Sequence, residues 1–262
     1  MKIPQLKNFR FKKQLGQNFI TDENFLRAIT ADSGIDKNDV VIEVGAGAGT
    51  LTAALANAAK SVIAYEIDKD LAPVLAQTLA GFDNIELRFE DILRTKSGTP
   101  PSYKVVANLP YYITAPIIMH FLEAQNPPES MTIMMQKEVA ERLTAAPSTP
   151  EYGAFTLQVA LYGEAKIVRA APRSLFFPQP NVDSTVVRID VNPKFNAEQT
   201  AQLKRLIKSA FSMRRKTLVN NLTAAGMQKG RILSALSSLN LPPAIRGEAL
   251  NLRQFSVISD SL

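Results

Sequence analysis

The stretch Val40-Val41-Ile42-Glu43-Val44-Gly45-Ala46-Gly47-Ala48-Gly49-Thr50, followed by Leu51-Thr52-Ala53-Ala54-Leu55, reads as strand, glycine turn and helix. Its β-branched run predicts a buried strand, and the glycines let the backbone reverse sharply into the helix. With no Cβ in the way, a ligand can lie against the main chain at Gly45 and Gly47, and a nucleotide-like ligand is implied. The spacing is Gly-x-Gly-x-Gly and not the Gly-x-Gly-x-x-Gly that seats a dinucleotide pyrophosphate on a helix start. On these residues alone, a purely structural turn is the alternative.

Outward from this turn, short β-branched runs alternate with helix-like stretches from Val40 to about Ile189, the pattern of a parallel sheet covered by helices. The predicted strands are Val40–Val44, Ser61–Tyr65, 85–89, 104–107 and 131–135, with two more near 157–161 and its extension and 184–189 closing the sheet as a hairpin-like edge. In the 131–135 strand, Met131, Met134 and Met135 read as core. Pro193 marks a boundary, beyond which helix formers at 3.6-residue spacing are interrupted by Gly226, Gly230 and Pro242-Pro243. The expected organisation is α/β: a Rossmann-like, mostly parallel seven-stranded domain over 1–194, and a small helical domain over 195–262.

A chain of 262 residues, 46% hydrophobic, can bury one full core and a minor second one. No apolar stretch approaches the roughly 20 residues of a membrane span, and no apolar core follows Lys12 and Lys13 as in a signal peptide. A cytoplasmic protein is expected. The absence of cysteine excludes disulfides and thiolate metal sites, no metal is expected, and the single histidine, His120, lies in an apolar run that predicts core packing. The net charge of +6 is uneven. Residues 1–13 carry Lys2, Lys7, Arg10, Lys12 and Lys13 without an acid, and from Phe195 onward ten cations face three acids, so the region between is net acidic. Basic ends around an acidic middle suggest a polyanion gripped at two places, although ordinary solvated faces would carry the same charges.

Two acids fall at strand ends. Glu66 follows the second strand, where a carboxylate can accept from both ribose hydroxyls of a nucleoside, and Asp91 follows the third, where one can accept from an adenine amine. With no pyrophosphate clamp in sight, the pair fits S-adenosylmethionine better than NAD. After the fourth strand comes Asn108-Leu109-Pro110-Tyr111-Tyr112. An exocyclic amine on an aromatic ring is a poor nucleophile because its lone pair is delocalised. The Asn108 side-chain oxygen and a backbone carbonyl at Leu109 or Pro110 can hold both amine hydrogens, favouring a pyramidal nitrogen and stabilising the positive charge it gains. Proline aims the carbonyl in advance. Tyr111 offers a stacking face worth about 1–3 kcal/mol, and Phe176, in the proline-stiffened segment Phe176-Phe177-Pro178-Gln179-Pro180-Asn181-Val182-Asp183-Ser184, is the candidate for the opposite wall, one of the two phenylalanines being core. Such a pocket demands an unpaired or splayed-out base.

The chain resembles the ribosomal RNA adenine dimethyltransferases, most of all the bacterial small-subunit (16S) branch of the KsgA type. The resemblance runs through Lys13-Gln14-Leu15-Gly16-Gln17-Asn18-Phe19, Glu43 to Gly49, Tyr65-Glu66-Ile67-Asp68, Glu90-Asp91-Ile92-Leu93, Asn108 to Tyr111, Gln136 to Arg142, Tyr152-Gly153, Phe176 to Ser184, Arg214 to Leu218 and Arg246 to Leu250. It implies a class I S-adenosylmethionine-dependent methyltransferase with cofactor contacts at Asn18, Ile20, Gly45, Glu66, Asp91 and Asn108. It also implies a monomer that dimethylates two adjacent adenines in the 3′-terminal hairpin loop of small-subunit rRNA, on the assembling 30S subunit. Two rivals stay open: a large-subunit rRNA methyltransferase of the macrolide-resistance type, and an assembly factor that kept the fold without the chemistry.

Overall fold

The computed structural model describes residues 9, 11, 12, 15–95 and 99–262. Of the basic N-terminal arm only Lys12 falls among them; Lys2, Lys7, Arg10 and Lys13, together with Gln14, lie outside the described residues. A two-residue strand, β1 (Phe19–Ile20), precedes the strands of the main sheet: β2 (Val40–Val44), β3 (Ser61–Tyr65), β4 (Ile85–Arg88), β5 (Lys104–Asn108), β6 (Ser130–Gln136), β7 (Gly163–Ala171) and β9 (Ser184–Val191). The short β8 (Phe176–Phe177) lies between the last two and pairs with β1, Phe19 opposite Phe177 and Ile20 opposite Phe176.

The seven-stranded order is β4-β3-β2-β5-β6-β9-β7. β2, β3, β4, β5 and β6 run parallel, and β9 returns antiparallel to β6. From β2 the chain builds outward to β4, then crosses back to β5 on the other side. That reversal opens a crevice at the carboxyl ends of β2 and β5, where open α/β sheets bind ligands. β2, β3 and β5 are almost continuously buried, as strands covered on both faces must be. α2 (Thr50–Ala58), α3 (Ala72–Thr78) and α4 (Thr114–Leu122) lie in the connections between the parallel strands, while α1 (Glu23–Asp32) precedes β2 and α5 (Lys137–Leu143) follows β6.

Two expectations are corrected. The stretch 157–161 is helical, within and just beyond α6 (Ala154–Ala160), and only its extension, β7, is a strand. Leu157 and Leu161 stand four residues apart, one helical face, and both bury against Leu203, Leu206 and Ile207. A short apolar run cannot by itself choose between strand and helix. His120 is solvent-exposed. Ile117, Ile118, Phe121 and Leu122 take the inner face of α4, which turns His120 outward, its ring edge-on to Phe121.

The chain divides into two compact units, the first running to Ala140 and resuming over Lys166–Val191, the second comprising Glu141–Ala165 and Asn192–Leu262. The helical unit therefore also contains a segment that precedes Pro193 by some thirty to fifty residues. Its core joins α6 to α7 (Ala197–Ala210), α8 (Leu218–Ala224), α9 (Lys229–Ser238) and α10 (Leu252–Ser261) through Leu157, Leu203, Leu222, Leu236 and Phe255. Asn196 and Asn251 cap α7 and α10 in reciprocal boxes with Gln199 and Gln254.

Candidate active site

The glycine turn is pinned from the neighbouring strand: the Tyr65 carbonyl at the end of β3 accepts from the N–H groups of Gly45 (2.8 Å) and Ala46 (3.0 Å). At Gly47 φ is +57°, and a Cβ would lie 2.8 Å from the Phe19 ring, so only glycine fits there. Its N–H donates to Glu66 Oε2 at 2.8 Å, and the Asp68 N–H donates to Oε1 at 2.8 Å. These two donors orient the Glu66 carboxylate while each oxygen keeps a second lone pair. Burial raises the Glu66 pKa, and the Asp68 and Gly47 donors work against that shift.

A second carboxylate was not anticipated. Glu43, in β2, is fully buried and neither of its oxygens has a hydrogen-bond partner among the described residues. Burial pushes its pKa up to about 8; Thr52 opposes the shift and the nearby Glu66 adds to it. An acid inside an otherwise apolar strand was the available signal in the sequence.

On the other side of the crevice, β5 ends in Asn108. Its Nδ2 donates to the Asn18 carbonyl at 2.9 Å, which fixes the amide and leaves Oδ1 without a described donor. The Pro110 carbonyl is engaged by Ile113 N–H (3.1 Å) and Thr114 Oγ1 (3.2 Å) at the start of the helical turn leading into α4. The Leu109 N–H donates to the Met134 carbonyl at 3.2 Å, and no described group donates to the Leu109 carbonyl. Of the two carbonyls considered from sequence, the free one is Leu109's. Tyr111 Oη shares a 2.7 Å hydrogen bond with Ser184 Oγ, tying the Asn108 turn to the end of the phenylalanine-proline loop, and burial raises the Tyr111 pKa.

These residues surround one cleft, lined by residues 15–20, 43–48, 65–67, 90–92 and 108–113, with Thr50, Leu51 and Ile117. Asn18, Ile20, Gly45, Gly47, Glu66, Asp91 and Asn108 to Tyr111 all face it. Asp91 accepts from Leu93 N–H at 3.0 Å and lies 3.4 Å from Arg94 Nε. Phe176 does not line it: the ring is 4% exposed, in the core with Phe19 and Ile20. Phe177 is 55% exposed, its ring 5.4 Å edge-on from Phe11, and Tyr112 is 62% exposed.

The cleft suits a cationic nucleoside. Glu43 places a buried carboxyl on the cleft wall, whose ionised form a positive charge in the cleft would favour, and the glycine turn leaves main chain bare. The fold and the cleft are those of a class I S-adenosylmethionine-dependent methyltransferase.

A model of the family described as ribosomal RNA adenine dimethylase matches residues 8–244. Similar proteins include "Ribosomal RNA small subunit methyltransferase A" from Alkaliphilus oremlandii, 42% identical over 99% of this chain and 94% of that protein, and its namesake from Streptococcus sanguinis, 43% identical over 97% and 92%. Among solved structures, the 23S rRNA methyltransferase ErmE superposes with a TM-score of 0.76 at 27% identity, covering 94% of this chain and 99% of that one. A dimethyladenosine transferase from Plasmodium falciparum gives 0.78 at 25% identity over 92% and 95%. The chain belongs to the ribosomal RNA adenine dimethylase family, and its methyl donor is S-adenosylmethionine.

Proposed function

We propose that this chain dimethylates the N6 amines of two adjacent adenines in the 3′-terminal hairpin loop of small-subunit (16S) rRNA, working as a cytoplasmic monomer on a late assembly intermediate of the 30S subunit. The observation that carries the chemistry is the pair of unengaged acceptors at the end of β5, Asn108 Oδ1 and the Leu109 carbonyl. The choice of small-subunit RNA rests on near-full-length similarity above 40% to proteins named for that substrate.

In this reading Glu66 and Asp91 hold the cofactor's nucleoside, Gly45 and Gly47 admit it to the main chain, Asn18 and Ile20 wall it in, and Glu43 answers its positive charge. S-adenosylmethionine supplies, when bound, a methyl group on a sulfonium that departs as a neutral thioether, so no general acid is required. Asn108 Oδ1 and the Leu109 carbonyl accept the two amine hydrogens and draw the nitrogen toward a tetrahedral geometry. As the amine becomes cationic, the same two oxygens stabilise it, at no reorganisation cost because Asn18 already holds the Asn108 amide. Tyr111, tethered to Ser184, offers its ring to the base, with Phe176 buttressing β1 behind the site and the exposed Phe177 available to the flanking strand. The amine proton leaves to water. The helical unit, rich in cations, is the RNA-gripping domain.

A large-subunit substrate is the second reading, favoured by the superposition on ErmE. Methylation assays on purified small-subunit particles and on large-subunit rRNA separate the two: incorporation restricted to large-subunit RNA defeats the proposal. Asn108→Ala is expected to lower the transfer rate by about 10²–10³, as for loss of one preorganised polar group at a transition state, while RNA binding persists. Undiminished transfer would show that the acceptor site lies elsewhere, and a chain inactive on every RNA would mark an assembly factor.

A further inference from the structure

Asp68 is 3% exposed, yet two of its partners come from more than fifty residues away. Its Oδ1 accepts from Lys12 Nζ at 2.5 Å and its Oδ2 from Gln17 Nε2 at 2.7 Å. Lys12 Nζ also lies 2.6 Å from Asp70 Oδ2, and the Lys12 N–H donates to Gln17 Oε1 at 2.7 Å, so Lys12 and Gln17 form one bonded unit. The next residue, Asn18, gives its carbonyl to Asn108. The segment 15–18 is therefore anchored at both sides of the cleft, to Asp68 beyond Glu66 and to Asn108 at the acceptor end, and it lines the cleft between those anchors. The Asp68 N–H orients Glu66 as well.

We propose that Asp68 is a positioning residue for the cofactor: through Lys12 and Gln17 it holds the 15–18 segment across the cleft, and cofactor exchange requires those bonds to open. The inference rests on the cleft being the cofactor site. The Lys12 side chain is 33% exposed, so salt reaches the latch. The latch governs retention and leaves the reacting atoms untouched, so its loss acts on KM and the off-rate and spares kcat.

The test compares Lys12→Met, Gln17→Leu, Asp68→Asn and the double variant Lys12→Met/Asp68→Asn, reading S-adenosylhomocysteine dissociation by stopped flow and steady-state kinetics in S-adenosylmethionine. Lys12→Met and Gln17→Leu alter partly exposed side chains and leave the core intact, so they keep the test open if Asp68→Asn fails to fold. Dissociation and KM are expected to rise about tenfold in each single variant, with kcat at saturating cofactor within about threefold of the parent. The double variant is expected to be no worse than Asp68→Asn alone. Raising salt from about 50 to about 500 mM should speed dissociation from the parent and not from Lys12→Met. Unchanged dissociation in both Lys12→Met and Gln17→Leu, additive effects in the double variant, or a fall in kcat at constant KM each overturn the proposal. Glu66→Gln is the control: if it weakens cofactor binding and the latch variants do not, only the latch is wrong, whereas if it too binds normally, the assignment of the cleft is wrong.

Discussion

Glu43 shows how one buried side chain couples protonation to stability. In the folded, cofactor-free chain its carboxyl ionises near pH 8, against 4.5 when unfolded. Between those values the folded state holds the extra proton, so Glu43's own contribution to stability is most favourable below about pH 4.5 and declines as pH rises toward 8, by up to about 4 kcal/mol, whereas Asp68 and Asp190, with lowered pKa values, contribute in the opposite sense at acid pH. Glu43→Gln, which removes the titration and keeps the shape, is expected to flatten that decline in chemical denaturation across the range. An unaltered pH profile would place the ionisation elsewhere. Gly47 makes the complementary case for backbone. An alanine there must adopt a φ of +57° with its Cβ against Phe19. Gly47→Ala should cost about 1–3 kcal/mol, visible as a lowered denaturation midpoint, and weaken S-adenosylhomocysteine binding in calorimetry.

At the scale of elements, the ends of helices and strands carry much of the organisation. The α7–α8 junction depends on Asn221, 2% exposed, whose Nδ2 donates to the carbonyls of Ala210 (2.6 Å) and Met213 (3.1 Å) as α7 ends. The Met213 carbonyl also accepts from the Lys216 N–H at 3.0 Å, so Asn221→Leu leaves the Ala210 carbonyl without its donor and should destabilise the protein by about 1–3 kcal/mol, measured as a shift in urea midpoint; an unshifted midpoint would mean water replaces the amide. The same logic explains which elements could be read from sequence. β2, β3 and β5 were legible because each is a short, largely apolar and β-branched run, a local pattern that needs no distant information. α6 was not, since Leu157 and Leu161 suit a strand or a helix until Leu203 and Ile207 pack beside them. The two-residue β1 and β8 carry no periodicity at all, and each exists through the other.

At the scale of the whole molecule, the proposed grip on RNA rests on cations of the helical unit. Arg214 is partly committed within the helical unit: it donates to the Pro150 carbonyl at 2.8 Å and shares Glu248 with Arg246. Arg215 and Lys216 are exposed and form no ion pair among the described residues. Replacing both by Gln is expected to weaken rRNA binding and reduce the slope of log affinity against log salt by about 0.7–0.9 per cation, read from filter binding or fluorescence anisotropy over a salt series. A slope equal to the parent's would remove these two residues from the interface. Lys12 belongs to a different account, since its ammonium is engaged by Asp68 and Asp70.

The sequence by itself determined the chemistry. A glycine turn after a strand, acids at the next two strand ends, and Asn-Leu-Pro-Tyr after the fourth are local patterns, and their residue types state what each can donate or accept wherever the chain carries them. What only the tertiary structure decided is which of those groups remain available. Ile113 and Thr114 take the Pro110 carbonyl while no described group donates to that of Leu109, Glu43 has no partner among the described residues because the sheet closes around it, Phe176 is core because β8 pairs with β1, and Lys12 and Gln17 meet Asp68 from across the cleft. Desolvation and long-range pairing exist only once the chain has closed on itself, and no local pattern carries them.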